Sequence, residues 1–548
     1  MSLGTFDRPR ALRALAATEL DVLVVGGGIT GVGVALDAAS RGLRTGLVER
    51  DDFSSGTSSR SSKLVHGGLR YLQNGEVRLV YEALHERQRL LRNAPHLVTL
   101  LPFLIPVTGR GGVVDRRLAR ALGSAMWMYD LTGGARIGRL HRRLRADEAR
   151  DLIPTLPGEG LRAAYLYHDA AADDARLTTT VARTAALDHG ALVANHAAVV
   201  ELSRTDGRIS GALVEADGRR FEVRARAVVN ATGVWADEVR ALGGGTTVPS
   251  IRPAKGVHVV VPWDLVRNRV AAVVPVPGDA RTVFVIPWLP QGDGTFALTY
   301  VGTTDTDHDG PLEDPRCTPA DVEYLLGALN ATRRDGERPV RPDDVTATWA
   351  GLRPLVRTEG TGRTADLSRR HHIDTAEDGL VTVTGGKLTT YREMAEQVVD
   401  SVVGDLLGSL AGRPLRRCRT RDLPLRGARG WDEMAAEDPH LAHRYGTEAR
   451  VVRAMVERDP ALGRPLVEGL PYLRAEAVFA VRHEMALDLD DVLARRTRAR
   501  VQDLAATRAA LDDVAELLAA ERSWSPGRTR AEADAYRAAL EADEAPAS

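Results

Sequence analysis

The sequence predicts an α/β fold with a parallel sheet at its centre, an inserted sheet of short antiparallel strands and a helical C-terminal region. Three observations carry this prediction: a strand–glycine–helix–strand unit at 21–50, short β-like runs between 251 and 350, and an almost wholly helical pattern beyond 414. At 548 residues the chain is too long for one hydrophobic core, so we expect two or three domains.

The unit at 21–50 reads DVLVVGGGITGVGVALDAASRGLRTGLVER. Its apolar run, Val22 to Val25, does not alternate with polar residues, which is typical of a buried parallel strand. Gly26, Gly28 and Gly31 follow with G-x-G-x-x-G spacing and lead into a helical pattern. The helix is expected to end near Gly42, and a second short strand at 45–48 should follow it.

This arrangement is suited to a dinucleotide. The glycines permit a tight turn and close approach to a pyrophosphate, and the helix N-terminus attracts its charge. Glu49 follows the second strand at the distance from the glycines where an acid binds a ribose diol. We therefore predict a Rossmann-type domain. The spacing of Ala35 and Gly42 after Gly31 favours FAD over a nicotinamide cofactor.

Composition narrows the function classes. The 44% hydrophobic and 27% charged residues are ordinary for a globular protein, and a formal net charge of -1 gives no support to nucleic-acid binding. The only cysteines, Cys317 and Cys418, exclude a disulfide framework and a cysteine-rich metal site, so we predict no metal and a reducing compartment. The sequence shows no signal peptide and no apolar run of about eighteen residues, so no spanning helix is expected.

The patterns divide the chain into six segments. We predict that 18–110, 161–250 and 346–410 together form the FAD-binding domain. The other segments are a basic amphipathic helical insert at 111–160, a substrate-binding cap of antiparallel strands at 251–345 and a helical C-terminal domain at 411–548.

The insert is unusually basic. Between Arg110 and Arg145 there are nine arginines against two aspartates, interleaved with leucine, methionine and tryptophan. Such a helix suits a membrane surface or a docking partner, and a core-packed helix with a solvated basic face is the alternative.

Two further stretches hold candidate site residues. The segment 51–72, DDFSSGTSSRSSKLVHGGLRYL, has the composition of a linker but many side-chain donors, so we interpret it as an ordered loop crossing the cofactor. A second strand–glycine–helix unit begins at 380 and places Lys387 at the mouth of a helix. Only three of the 73 basic residues are lysine, Lys63, Lys255 and Lys387, and all lie beside glycine- or serine-rich motifs.

Several motifs, in order along nearly the whole chain, together resemble the FAD-dependent glycerol-3-phosphate dehydrogenase family. They are VVGGGITGVGVALDAASRG (24–42), SSKLVHGGLRYL (61–72), NATGVWAD (230–237), GTTDTD (302–307), GLRPL (351–355), TGGKLTTYR (384–392) and VRHEMALDLDDVLARRTR (481–498). The resemblance implies oxidation of sn-glycerol 3-phosphate to dihydroxyacetone phosphate, with electrons passing through FAD to quinone. It also implies a cytoplasmic location on the inner face of the cell membrane. Whether the chain forms a homodimer stays open.

The resemblance places Arg70, Arg369 and Lys387 at the substrate, where converging cations suit a phosphate dianion, and places Arg353 near the reacting carbon. His66 titrates near neutrality and is our candidate base, while Arg353 is suited to stabilise a developing alkoxide. Tyr71 and His258 complete the predicted substrate site, and His258 is the alternative base. The predicted cofactor-binding residues are Gly26, Gly28, Ile29, Thr30, Gly31, Glu49, Arg50, Ser61, Ser62, Lys63, Gly67, Gly68, Ala231, Thr232, Gly233, Gly386, Leu388 and Thr389.

Three alternatives remain at this point. An oxidase of the same family would reduce oxygen to hydrogen peroxide, and the basic stretch at 110–145 favours quinone over it. An amino-acid oxidase would have little use for several cations of the phosphate-binding type. A redox-inert flavoprotein with a structural or sensing role would hold FAD that no small alcohol reduces.

Overall fold

The computed structural model describes residues 6–68, 77–108, 126–127, 129–130, 133, 137–244, 250–279, 281–357, 371–407 and 416–543. Three predicted substrate residues, Arg70, Tyr71 and Arg369, lie outside this range, as does most of the basic stretch at 110–145.

The strands and helices of the described residues are numbered here in chain order. The strands are β1 (Leu20–Val25), β2 (Thr45–Val48), β3 (Leu64–Val65), β4 (Val98–Thr108), β5 (Arg142–Arg145), β6 (Leu161–Ala172), β7 (Leu192–Ala194), β8 (Ala198–Thr205), β9 (Arg208–Ala216), β10 (Arg219–Asn230), β11 (Ile251–Pro262), β12 (Ala271–Pro275), β13 (Thr282–Pro290), β14 (Phe296–Gly302), β15 (Thr306–Asp307), β16 (Ala347–Val356), β17 (His372–Thr375) and β18 (Leu380–Thr384). The α-helices are α1 (Arg8–Ala17), α2 (Ile29–Arg41), α3 (Val77–Asn93), α4 (Ala146–Leu152), α5 (Asp174–Arg183), α6 (Ala236–Ala241), α7 (Pro319–Ala331), α8 (Tyr391–Ser401), α9 (Trp431–Glu437), α10 (Pro439–Tyr445), α11 (Ala449–Arg458), α12 (Arg474–His483), α13 (Leu504–Ala509), α14 (Leu511–Arg522) and α15 (Pro526–Ala542).

The first sheet has the order β17-β18-β10-β1-β2-β7, with the β8–β9 hairpin continuing from β10. The strands β18, β10, β1, β2 and β7 run parallel. Every residue of β1 is buried, because neighbouring strands lie on both edges and helices cover the faces. The glycine turn that follows β1 is therefore anchored at the centre of the sheet.

The second sheet has the order β15-β11-β14-β13-β12-β4-β6-β3, with β16 beside β11 and β5 beside β6. Its pairs are antiparallel except for β12 with β4, which is parallel. Strands from 64–172 and from 347–356 therefore join those of the predicted cap segment 251–345 in one sheet. The parallel pairing of β4 with β12 joins the first of these segments to the cap strands, and the pairing of β16 with β11 joins the second.

The C-terminal helices α9 to α15 have their own apolar cores, one around Leu466 and Leu493 and one around Leu441 and Phe479. The fold class predicted from the sequence, a Rossmann-type α/β domain with a β-sheet cap domain and a helical C-terminal domain, is confirmed. In the part of the chain that the structure describes, no helix has the length and apolar character needed to cross a membrane.

The C-terminal domain docks on the first sheet through buried ion pairs. The carboxylate of Asp52 is fully buried and accepts hydrogen bonds from Arg495 Nε at 2.7 Å and from Arg496 Nη1 at 2.6 Å. Asn195 Nδ2 donates to the other oxygen of Asp52 at 2.9 Å. Asp52 lies four residues after the end of β2, so these ion pairs attach the C-terminal domain near the carboxyl end of that strand.

Candidate functional site

A cavity of about 290 Å³ opens at the carboxyl ends of β1, β2 and β10. In α/β sheets this edge is where ligands bind. Most of the predicted cofactor residues line the cavity; they are Gly26, Gly28, Ile29, Thr30, Glu49, Arg50, Ala231, Thr232, Gly233, Gly386 and Leu388. We refer to it as the dinucleotide cavity.

The glycine turn is too tight for any side chain. A Cβ added to Gly31 would lie 1.9 Å from the carbonyl oxygen of Gly26, and one on Gly26 would lie 2.7 Å from that of Ala231. Gly26 also has a φ of 109°, which favours glycine. α2 begins at Ile29 directly after this turn, with Gly28 as a cap that offers no side chain. The cradle and the helix N-terminus therefore fit the pyrophosphate of a dinucleotide.

Glu49 lines the dinucleotide cavity and also braces the turn. Its Oε2 accepts a hydrogen bond from the Gly27 N–H at 2.5 Å, and its Oε1 accepts one from the Asp51 N–H at 2.9 Å. Burial raises the pKa of Glu49 to about 7, despite the two backbone bonds that lower it. The carboxylate thus lies where a ribose would bind, already held by the turn.

A second cavity of about 220 Å³ adjoins the first. Residues at the turn after β18, with Thr57 and Pro354, line both; the shared residues of this turn are Gly385, Gly386, Lys387 and Leu388. His66, His258, Arg353, Ser61, Ser62 and Thr389 line the second cavity. We refer to it as the substrate-side cavity. Its lining brings histidines and cations from distant segments to one place beside the dinucleotide cavity.

His66 follows β3 directly and is fixed by its backbone. Its N–H donates to Thr389 Oγ1 at 3.1 Å, and its ring lies edge-on to Phe284 with centroids 6.2 Å apart. Thr389 directly follows the turn at 385–388 that holds Lys387, which we call the lysine turn. The hydrogen bond therefore links the backbone of His66 to this turn.

Arg353 lies on β16 and is held from three directions. Its Nη1 lies 3.1 Å from Asp305 Oδ1, and its Nη2 donates to Thr303 Oγ1 and to the Thr304 carbonyl, each at 3.2 Å. Gly256, on the neighbouring strand β11, leaves room for this arrangement, because a Cβ there would lie 2.6 Å from Arg353 Nη2. The guanidinium is therefore oriented before any ligand binds.

His258 is buried within β11. Its ring stacks on Trp349 with centroids 4.5 Å apart, and its Nε2 lies 2.8 Å from Ser62 Oγ. Burial lowers the pKa of His258 well below its usual value, and the charges of Lys63 and Arg353 lower it further. The imidazole is thus neutral near pH 7.

Four predicted cofactor residues lie elsewhere. Within the described part of the chain, Lys63, Gly67 and Gly68 line neither cavity, and Gly31 packs beneath the turn rather than facing the cavity. Lys63 Nζ lies 3.4 Å from Asp174 Oδ1 and 4.4 Å from the centroid of the Trp349 ring. Burial lowers the pKa of Lys63 to about 8.

Sequence reasoning did not name several lining residues. The run Ser55–Ser58 lines the dinucleotide cavity, and Ser58 Oγ accepts a hydrogen bond from the Ile29 N–H at 2.9 Å. Trp235 lines it as well, with the Arg50 guanidinium 5.0 Å from its ring centroid. The hydroxyl-rich composition of 51–62 was the available signal, but composition does not identify which hydroxyl faces a cavity.

A glycine cradle at the carboxyl end of a parallel sheet, opening onto a second cavity with histidine and cations, defines an FAD-type oxidoreductase site. Two family models match the chain: FAD dependent oxidoreductase over residues 21–392, and the C-terminal domain of alpha-glycerophosphate oxidase over residues 418–529.

Relatives match over almost the whole chain. A glycerol-3-phosphate dehydrogenase of Mycobacterium bovis is 40% identical over 99% of this chain and 92% of its own length. A mitochondrial glycerol-3-phosphate dehydrogenase of Arabidopsis thaliana is 38% identical over 97% of this chain and 87% of its own length. The solved structure of the glycerol-3-phosphate dehydrogenase from Bacillus halodurans complexed with FAD is 29% identical, covers 98% of both chains and has a TM-score of 0.76. The chain belongs to the FAD-dependent glycerol-3-phosphate dehydrogenase family.

Proposed function

We propose that the protein oxidises sn-glycerol 3-phosphate to dihydroxyacetone phosphate with FAD, and that the electrons pass on to quinone. The observation that carries the proposal is the shared lining of the two cavities. Gly386 and Lys387 belong to both, so a substrate held at the lysine turn lies next to a bound dinucleotide. The dinucleotide cavity would hold FAD through the glycine turn, the α2 N-terminus and Glu49.

Binding of the phosphate is assigned to Lys387, with Arg70 and Arg369 as further proposed ligands from outside the described residues. A phosphate dianion is best bound by charge-assisted hydrogen bonds from several converging cations. The lysine turn is tightly packed: Gly386 has a φ of 87°, and a Cβ there would lie 2.3 Å from Met394 Sδ. Packing therefore holds the backbone that carries Lys387 beside both cavities.

Bound FAD supplies the hydride acceptor, and the protein removes the hydroxyl proton and stabilises the developing charge. His66 is our proposed base, because it lines the substrate-side cavity and its ordinary pKa is near neutrality. His258 is less suited to the task, since its pKa is held far below that value and its Nε2 is bonded to Ser62. Arg353 would stabilise the alkoxide that forms.

Quinone as acceptor is supported by surface character around the basic insert. Trp127 is 58% exposed and Leu140 is 51% exposed, and both belong to the arginine-rich stretch at 110–145. Exposed aromatic and basic residues suit contact with a membrane surface, where quinone is dissolved. Oxygen as acceptor is the second candidate, because the C-terminal domain matches a family model described from an oxidase.

Anaerobic mixing of the purified flavoprotein with sn-glycerol 3-phosphate tests the proposal. We expect bleaching of the flavin absorbance by this compound and not by glycerol, which lacks the phosphate. Reoxidation is then followed separately with a soluble quinone and with air. A flavin that stays oxidised would contradict the proposed substrate, and fast reoxidation by air with release of hydrogen peroxide would replace quinone by oxygen.

A further inference from the structure

A third cavity of about 60 Å³ lies where the main parts of the chain meet. Its lining comes from the loop at 55–60 beside the dinucleotide cavity, from 314–317 and 348–350 around the second sheet, and from 490–501 and 542–543 in the C-terminal domain. We refer to it as the junction cavity. It shares Ser55 with the lining of the dinucleotide cavity and Arg60 with the lining of the substrate-side cavity.

The junction cavity is strongly charged. Five arginines and three aspartates line it; the arginines are Arg60, Arg316, Arg495, Arg498 and Arg500, and the aspartates are Asp314, Asp490 and Asp543. Asp314 forms an ion pair with Arg316, Asp490 with Arg495 and Arg500, and Asp543 with Arg500. All three carboxylates of the lining are therefore already in ion pairs.

Arg60 differs from the other four arginines. Arg498 lies 3.4 Å from Asp174, and the remaining three hold the aspartates of the lining. The guanidinium of Arg60 makes no hydrogen bond and no ion pair with any residue that the structure describes. Burial lowers the pKa of Arg60, and the positive charges of Arg500 and Arg495 lower it further. The negative charges of Asp490 and Asp314 act in the opposite direction.

A partly buried cation without a partner is costly, and a bound anion would offset that cost. The planar guanidinium fork presents paired donors that match two oxygens of a phosphate-like group. The cavity volume is several times the ~10–15 Å³ that one water needs, so the cavity has room for a small oxyanion.

We propose that the junction cavity binds a small tetrahedral oxyanion, such as inorganic phosphate, through Arg60, a residue that also lines the adjoining substrate-side cavity. Binding there would stabilise the cofactor-bearing state, because Arg60 also lines the substrate-side cavity and the preceding residues of its loop line the dinucleotide cavity. The Arg60 N–H donates to the Thr57 carbonyl at 3.1 Å, and Thr57 lines both of these cavities. A Cβ on Gly351 would lie 2.6 Å from the Arg60 carbonyl oxygen, so the loop also packs tightly on β16.

Thermal unfolding of the FAD-loaded protein tests this without turnover, and so independently of the proposed reaction. Inorganic phosphate is compared with chloride at constant ionic strength. We expect phosphate well above its dissociation constant to raise the midpoint by about 2 °C or more. Arg60→Gln should abolish the phosphate-specific rise. Arg537→Gln removes the same charge from an exposed ion pair with Asp512 and Asp534 and should keep it.

Three results would overturn the proposal: no phosphate-specific rise in the wild type, which would leave an adventitious ion only; a full rise in Arg60→Gln; or loss of the rise in Lys387→Ala. The last would place the phosphate in the substrate-side cavity. If Arg60→Gln does not fold, Arg60→Lys keeps the charge but loses the fork and should weaken phosphate binding about tenfold. An effect of Arg60→Lys on the KM for sn-glycerol 3-phosphate alone would move Arg60 to the substrate site and also contradict the proposal.

Discussion

Arg353 Nη1 lies 3.1 Å from Asp305 Oδ1, so the guanidinium facing the substrate-side cavity is held by a carboxylate just beyond the end of another strand. Thr303 and Thr304 complete the attachment. Asp305 follows β14 and Arg353 lies on β16, and both strands pair with β11 between them. The orientation of Arg353 is therefore a property of the second sheet, and small changes in the intervening strand should disturb it.

Gly256→Ala should test this orientation. The added methyl would lie 2.6 Å from both Arg353 Nη2 and Thr303 Oγ1, so one of the two side chains must move. We expect kcat to fall at least about tenfold with unchanged FAD content, because misplacement by an ångström at a reacting centre has large effects. Gly327→Ala, on α7 with nothing within 4 Å, is the matched control. Normal turnover in Gly256→Ala would show that Arg353 tolerates displacement.

Gly31→Ala should remove FAD instead. Its methyl would lie 1.9 Å from the Gly26 carbonyl oxygen, so the turn and the start of α2 must separate. The expected result is purified protein with little flavin absorbance but a folded far-ultraviolet circular dichroism spectrum. Gly527→Ala adds a methyl where nothing lies within 4 Å and should retain FAD. Full FAD content in Gly31→Ala would contradict the assignment of the turn.

The contrast between these two sites shows what sequence patterns reveal. The predicted strand at 45–48 has the bounds observed for β2, and the glycine turn lies where predicted, because both are encoded by neighbouring residues. The residues around Gly256 give no such indication, since the need for glycine there comes from Arg353 on the neighbouring strand β16. Lys63 shows the same limit: it was predicted to bind the cofactor, but it is buried in an ion pair with Asp174, 111 positions away.

The same reasoning explains why the second sheet was only partly predicted. Strands within 251–345 were expected from their apolar runs and turns, but β4 joins the same sheet by pairing with β12, between residues 168 positions apart. The period of an apolar run indicates a strand and does not identify its neighbour. Likewise, the serine-rich loop was predicted to cross the cofactor, and only the structure shows that Ser55–Ser58 face the cavity.

Asp52→Asn should weaken docking of the C-terminal domain. It removes the charge that faces Arg495 and Arg496 in a fully buried environment and leaves both guanidinium groups undercompensated. Breaking a buried pair by changing one partner typically costs about 3–5 kcal/mol. We expect a marked fall of the urea midpoint. Asp512→Asn, in an exposed pair with Arg537, should change it little. Equal effects of the two variants would argue against the docking role.

Acid should destabilise the protein through His96. This histidine is 1% exposed, lies between α3 and β4, and its carbonyl oxygen lies 3.3 Å from His443 Nδ1 in the C-terminal domain. Burial lowers the pKa of His96 to about 4, while a histidine of the unfolded chain has a pKa of about 6.5. Because the folded state stays neutral when the unfolded state takes up a proton, stability is lost as the pH falls from about 6.5 to about 4.

The loss from this one group would reach about 3 kcal/mol at the acid end of that window. His96→Gln should flatten the decline of the unfolding free energy between these pH values, measured by urea titration. The exposed His372→Gln is the control and should leave the slope unchanged. A slope that is the same in His96→Gln and in the wild type would show that His96 does not titrate as its burial indicates.

His66→Gln should slow reduction of the flavin by sn-glycerol 3-phosphate by about two to four orders of magnitude, the usual contribution of a general base. Glutamine keeps much of the shape of the side chain, and the bond from the His66 N–H to Thr389 is made by the backbone and should persist. FAD content should therefore be normal. Rapid-mixing absorbance under anaerobic conditions measures the step directly. The matched comparison is His258→Gln, because His258 lines the same cavity but has a pKa well below the usual value for histidine. We expect a smaller loss of rate in His258→Gln than in His66→Gln. A loss below tenfold in His66→Gln, with a larger loss in His258→Gln, would show that His258 is the base.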